Sequence, residues 1–276
     1  MARVSDTTEP NDYILGNSER ELRRLEAQAR LYSDATRDAL VSAGIKPGMK
    51  ILDLGTGAGD VALIAAAIVG SSGAVTGIDI SAEAVSLATR RAAQTGVEVT
   101  FEISPILAYD RYPDFDAVIS RFLLVHLPKP GAAIREIAGR MRAGAILVSM
   151  EMDMSTASAT VALPLFEQHL GYIVQLYIAL GLSPDMGLRL HETYRAGGLS
   201  PTLAGYTRVG DRDDPAGFDF FSESIRSLLP ALEKLGIARA AEIDIDTLSS
   251  RLVAEANPKD PAIFYPRLVA AWARSQ

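Results

Sequence analysis

A chain of 276 residues with 48% apolar and 22% charged side chains is long enough to bury a substantial core, as one domain or one domain with a helical lid. Its net charge of −7 argues against a broad footprint for nucleic acid, and Arg20, Arg23, Arg24 and Arg30 alternate with Glu19, Glu21 and Glu26 as on a solvated helix face. Cysteine is absent, which excludes disulfides and thiol catalysis; the polar N-terminus and short apolar runs predict a soluble, cytoplasmic protein with no membrane partner.

Residues 1–12 read as a polar arm. Tyr13-Ile14-Leu15-Gly16 precedes a helix opened by a capping box of Ser18 and Glu21, with Leu22, Leu25, Ala29 and Tyr32 in one stripe. A second helix is predicted over 33–43, ended by Gly44, before Pro47-Gly48 turns the chain into its first strand.

The rest of the chain is organised around 49–60. Ile51 to Leu54 read as a strand, and Gly55, Gly57 and Gly59 as a turn bare of side chains that backbone can carry close to a ligand. A helix follows from about Ala58, with Val61, Ile64, Ala65 and Ile68 on its apolar face. A dinucleotide fingerprint needs glycine at position 60, which is Asp60. A second strand over 74–80 carries Asp79, 20 residues beyond Gly59, where an acid at the tip of the neighbouring parallel strand can hold both ribose hydroxyls. Ile80 follows, and Ser81 caps a helix over 82–93. A third strand over 97–103 leads to Ser104-Pro105-Ile106. A fourth over 114–122 ends at Arg121 and Phe122, His126 lies in the next connection, and a helix over 130–141 precedes a fifth strand over 144–151. Alternating strands and helices predict a doubly wound α/β sheet with ligand outside the carboxyl ends of its strands, where Asp53, Asp79, Ser104, Arg121 and Glu151 fall.

The alternation breaks at 157–182. Leu163, Phe166, Leu170, Ile173, Val174 and Tyr177 form one helical stripe, and Tyr172, Leu176, Ile178 and Leu180 make the back apolar too. Such a helix needs cover on both sides, from core, ligand or a second subunit, so a homodimer stays open. A helix through Ala196, a sixth strand over 199–209, helices over 217–255 interrupted by Pro230, and a seventh strand over 263–272 complete the prediction. The organisation expected is a helical cap (1–45), a cofactor-binding core (46–156), a helical lid (157–198) and a C-terminal part of the core with a helical insertion (199–276).

The acid at Asp53 followed by Gly55, Gly57 and Gly59, with Asp79 at the next strand end, resembles the first motif of class I S-adenosylmethionine-dependent methyltransferases. The segment from Tyr13 to Gln28 resembles the N-terminal segment of their small-molecule, natural-product subgroup. This implies a Rossmann-like seven-stranded sheet with a closing antiparallel strand and S-adenosylmethionine as cofactor. It also implies a small, largely apolar acceptor methylated on oxygen, nitrogen or carbon by in-line displacement. By the same resemblance Asp53 accepts a hydrogen bond from the cofactor's amino group, the glycines pass beneath its methionine and ribose parts, and Tyr13 and Gln28 lie near its methionine end. Many relatives carry an aspartate where this chain has Ser104, which with Ile106 is the candidate adenine contact; Ile80 and Arg121 complete the candidate cofactor set. Phe122, Phe166, His169, Leu170, Ile173 and Tyr177 are candidate walls of the acceptor pocket. His126 and Glu151 are candidate bases, needed only where the acceptor must lose a proton. Glu151 and Asp153 are too few acids for a metal site, and none is expected. Two alternatives stand beside methyl transfer: the sulfonium as a fixed charge for cyclisation, isomerisation or decarboxylation, and a non-catalytic binding protein.

Overall fold

The computed structural model describes residues 19–95 and 97–276, with side chains from Leu31 onward; the expectations for Tyr13, the Ser18 capping box and the Gln28 side chain lie outside that range. The described chain opens on α1 (Glu19–Ser42). It then alternates through β1 (Lys50–Leu54), α2 (Asp60–Val69), β2 (Ala74–Asp79), α3 (Ala82–Thr95), β3 (Thr100–Ile103), β4 (Ala117–Arg121), α4 (Pro130–Arg140) and β5 (Ile146–Asp153). The second half carries β6 (Ser158–Ala159), α5 (Pro164–Ala179), α6 (Met186–Ala196), β7 (Thr202–Tyr206) and β8 (Val209–Gly210). After these come α7 (Pro215–Lys234), α8 (Ala240–Ile243), α9 (Leu248–Ala256), β9 (Ile263–Phe264) and β10 (Arg267–Arg274).

Seven strands form one sheet in the order β3-β2-β1-β4-β5-β10-β7, with β10 antiparallel to both of its neighbours. The parallel strands β1, β2, β4 and β5 are covered on both faces, which is why they read as largely apolar runs, while β3 at the edge is only partly covered. Alternation along β1 sends Ile51 to one core, with Leu40, Val61 and Ile225, and Leu52 to the other, with Ile134, Leu190 and Tyr194. Helices α1, α2, α5, α7 and α9 supply the first core, and α4 and α6 the second. Among the described residues no helix is long and apolar enough to cross a membrane.

Several boundaries differ from expectation. The two predicted N-terminal helices are one, because Ser33 and Asp34 weaken a helix but, unlike glycine or proline, do not break its hydrogen-bond ladder. The third strand begins only at Thr100. The fourth is shortened because 112–114 coil into a turn of 3-10 helix, and the fifth runs on to Asp153. The predicted sixth strand divides: β7 stays in the main sheet, while β8 joins β9 and β6 in a second sheet of three short strands. The predicted seventh divides likewise between β9 and β10 at Pro266, which has no N–H to give a ladder. Pro230 does not interrupt α7; Leu228 and Leu232, buried on either side of it, keep the helix on the core, and the chain turns instead at Gly236 with φ +66°. The back of α5 is also only partly covered, since Ile178 is 62% exposed.

Candidate functional site

A cavity of about 940 Å³ opens at the carboxyl ends of the parallel strands. The glycine turn after β1 forms one wall. All three glycines have positive φ, but their surroundings differ. A side chain at Gly57 would meet nothing within 4 Å and would project into the space the turn surrounds, so this glycine keeps the wall bare. A side chain at Gly59 would press on Phe101 at 3.0 Å and Ala88 at 3.1 Å, so that glycine serves packing and does not line the cavity.

The two strand-end acids also divide their labour. Asp79 lines the cavity, and its Oδ2 accepts from the Gly57 amide at 2.9 Å while Oδ1 accepts from the Ser81 amide at 2.9 Å. It therefore ties the turn to β2 and keeps lone pairs for a ligand. Asp53 is 1% exposed and absent from the cavity wall; its Oδ2 accepts from the Thr56 hydroxyl at 2.7 Å. Burial pushes its carboxyl up to about 7, against the lowering effect of the Thr56 bond and of Arg121. In this geometry the buried acid supports the turn through Thr56, which itself lines the cavity.

Asp60, at the first turn of α2, does reach the cavity and is held by Arg91 at 2.7 Å and by Arg121 at 4.0 Å. The Arg121 guanidinium also donates to Thr36 of α1 at 2.8 Å and lies 5.3 Å from the Phe122 ring centre. Phe122 adopts φ +57°, a costly conformation for a residue with a side chain, and this turns the chain off β4 so that Phe122, Leu123 and 125–127 border the cavity. Glu151 braces that segment: its Oε1 accepts from the Leu124 amide at 2.6 Å. Burial pushes the Glu151 carboxyl up to about 8, opposed by the amides of Leu124, Leu123 and Val125. His126 sits in the same segment and lines the cavity, as do Ile80, Ser104 and Ile106 at its outer end.

The inner end is apolar. Leu170, Ile173 and Tyr177 of α5 line it together with Phe220, Phe221 and Leu228 of α7. Phe166 and His169 do not. Phe166 shares the stripe but lies a turn earlier along α5, where it packs on Phe221 with ring centres 4.7 Å apart. His169 is rotated off the stripe, is 2% exposed, and has Nδ1 at 2.8 Å from the Leu165 carbonyl. Among the described residues no cluster of three His, Asp or Glu could hold a metal ion.

Residues 45–172 match the protein family described as Methyltransferase domain. Ubiquinone biosynthesis O-methyltransferase of Xanthomonas axonopodis pv. citri is 31% identical over 125 residues, which is 44% of this chain and 51% of that protein. The chain thus spans about half the length of the curated relatives it matches. Among solved structures, a putative sarcosine dimethylglycine methyltransferase from Galdieria sulphuraria superposes with TM-score 0.51 at 13% identity, covering 88% of this chain and 84% of its own. The cyclase SpnF superposes with TM-score 0.52 at 20% identity over 88% of this chain and 81% of its own; both structures report on the fold alone. Residues 45–172 form a class I S-adenosylmethionine-dependent methyltransferase domain.

In this methyltransferase domain the sequence motif leads to the polar wall but does not single out Thr56 or Asp60 as site residues. Asp60 signals only that a dinucleotide motif is broken. Beyond the domain, Phe221 and Leu228 are visible as one apolar stripe, though periodicity does not say whether a stripe faces core or cavity. Phe220 and Ser224, off that stripe, leave no signal.

Proposed function

We propose that the chain transfers a methyl group from S-adenosylmethionine to a small, largely apolar acceptor of natural-product type, in the cytoplasm. The observation that carries this reading is one continuous cavity, polar at the strand tips and apolar between α5 and α7. Its 940 Å³ lies near the upper end of the range for ligand sites, about 300–1,000 Å³, enough for a cofactor and an acceptor side by side.

The residues present fit the cofactor. Asp79 is placed to accept from the ribose hydroxyls, Gly55 and Gly57 let the ligand lie against backbone, and Ile80 and Ile106 offer apolar faces beside Ser104 for adenine. Asp53 acts through Thr56, and Arg121 through Asp60 and Thr36, to hold the turn and α1 in register. S-adenosylmethionine supplies a methyl group already activated on sulfur, so the protein's task is alignment and exclusion of water. Glu151 lines the cavity, and although its Oε1 accepts from the Leu124 amide, burial raises its proton affinity toward that of a general base, so it stays a candidate for an acceptor that must lose a proton. His126, which lines the same cavity, is the other candidate base. The likeness to ubiquinone O-methyltransferases makes a hydroxyl the first acceptor group to test.

The apolar inner end of the cavity, lined by Leu170, Ile173, Phe220, Phe221 and Leu228, favours a second reading, in which the sulfonium acts as a fixed charge and no methyl moves. The test begins with calorimetric titration of wild type and Asp79→Ala with S-adenosylmethionine and S-adenosylhomocysteine. Binding lost in the variant supports the site, and absence of binding to either ligand overturns both readings. An acceptor screen then divides them: methylated product with equimolar S-adenosylhomocysteine supports transfer, and product without it supports the fixed charge.

A further inference from the structure

The opposite end of the sheet carries a second cleft, of about 420 Å³, that the cofactor reading does not use. It is bordered by the residues that lead into β1, β4 and β5 and by the end of β10. Three cations from three separate segments face it, Lys46, Arg142 and Arg274, against one carboxylate, Asp116. That carboxylate is already committed: Oδ1 takes a bond from Arg142, and Oδ2 accepts from the Lys50 amide at 2.7 Å. The cleft therefore holds an excess of two positive charges on a chain whose net charge is −7.

Two of the cations are fixed. Arg142 Nε donates to the Phe115 carbonyl at 3.1 Å, and Arg274 Nη1 to the Gly144 carbonyl at 2.8 Å. Each bond uses one of the five N–H donors of a guanidinium, so the planar forks are oriented and retain free donors. Lys46 makes no ion pair among the described residues, which leaves its three donors for a ligand. Positive charges gathered in a concave site focus the field on an anion, and oriented guanidinium forks match the oxygens of a phosphate.

We propose that this cleft is a second binding site, for a small molecule bearing a phosphate or pyrophosphate group, with Lys46, Arg142 and Arg274 as its ligands. It lies beyond the amino ends of the parallel strands, so its occupant is separate from anything bound at their carboxyl ends. Phosphate and pyrophosphate share the chemistry that the cleft would recognise, and three cations around one cleft favour the more highly charged anion.

The test is calorimetric titration of the full chain with sodium pyrophosphate and, separately, inorganic phosphate, at constant ionic strength. Saturable binding is expected, tighter for pyrophosphate, and at least tenfold weaker in Lys46→Glu and in Arg274→Gln. Arg90→Gln, which alters a cation at the large cavity instead, should leave pyrophosphate affinity within about twofold. The Lys46 ammonium has no ion pair to lose among the described residues, so its variant decides the matter even where Arg274→Gln fails to fold. No saturable binding of either anion up to roughly 10 mM overturns the proposal. Equal binding by wild type and Lys46→Glu overturns it as well, and greater loss in Arg90→Gln than in Lys46→Glu would move the anion to the large cavity.

Discussion

The two ends of the large cavity are built in different ways. The polar end is local: Asp53, Thr56, Gly57, Asp79 and Ser81 lie within one strand-turn-helix-strand unit, and every bond among them closes over fewer than 30 residues. The apolar end is assembled from far apart, with Leu170 and Ile173 of α5 meeting Phe221 and Leu228 of α7, and Tyr265 and Pro266 joining them. The first end depends on backbone conformation and a few directed hydrogen bonds. The second depends on how whole helices pack. The difference implies that cofactor binding is brittle to single substitutions at the turn, while acceptor choice is adjustable through side-chain volume.

The largest effect should come from breaking the polar end. Asp79→Ala removes the acceptor of the Gly57 and Ser81 amides as well as a ligand contact, and calorimetry should show at least a 100-fold loss of S-adenosylhomocysteine affinity, about 2.7 kcal/mol. Gly57→Val should do the same through steric and backbone strain at φ +53°, without disturbing any packed neighbour. At the apolar end, Phe221→Ala should lower stability by roughly 3–5 kcal/mol in denaturant titration, because it empties a site that is 3% exposed and packed against Phe166. Any remaining folded protein should keep its cofactor affinity within about threefold, which is below 1 kcal/mol. An equal loss of cofactor affinity in that variant would erase the distinction between the ends.

A smaller effect concerns pH. Glu151 is raised from an ordinary 4.5 to about 8 in the folded state, so between these values the unfolded chain has lost a proton that the folded chain keeps. Stability should therefore fall as pH rises from about 5 to 8 and level off above, with a limiting slope of about 1.4 kcal/mol per pH unit for one such group. Asp53, raised to about 7, acts in the same direction over a lower window. Glu151→Gln should flatten the upper part of this profile while still accepting the Leu124 bond, and urea titrations at three pH values would check it. The smallest effect belongs to His169→Gln. With the ring outside the cavity wall, cofactor affinity and acceptor KM should both stay within about twofold, below 0.5 kcal/mol. A large change in acceptor KM alone would place His169 against the acceptor after all.

The local end is the more legible one. Spacing between Gly59 and Asp79 places an acid on the neighbouring strand tip, and Asp79 is found there with its oxygens on the glycine turn. A motif names residue types and not side-chain directions, so it does not show that Asp53 is buried with its Oδ2 on the Thr56 hydroxyl. A helical stripe has no end mark either, so sequence groups Phe166 with Leu170, and only the position of α7 shows where along α5 the cavity stops.

By itself, then, the sequence determined the features that obey short-range rules: the glycine turn, the alternation of strand and helix, and the acid at the second strand tip. Tertiary structure decided those that depend on contacts far apart in the chain. It split the predicted sixth strand between two sheets, and it brought Lys46, Arg142 and Arg274 to one cleft. The physical reason is that backbone propensities act over a few residues. Which face of an apolar helix meets a cavity, and which cations share one, is set by packing free energy summed over the whole core.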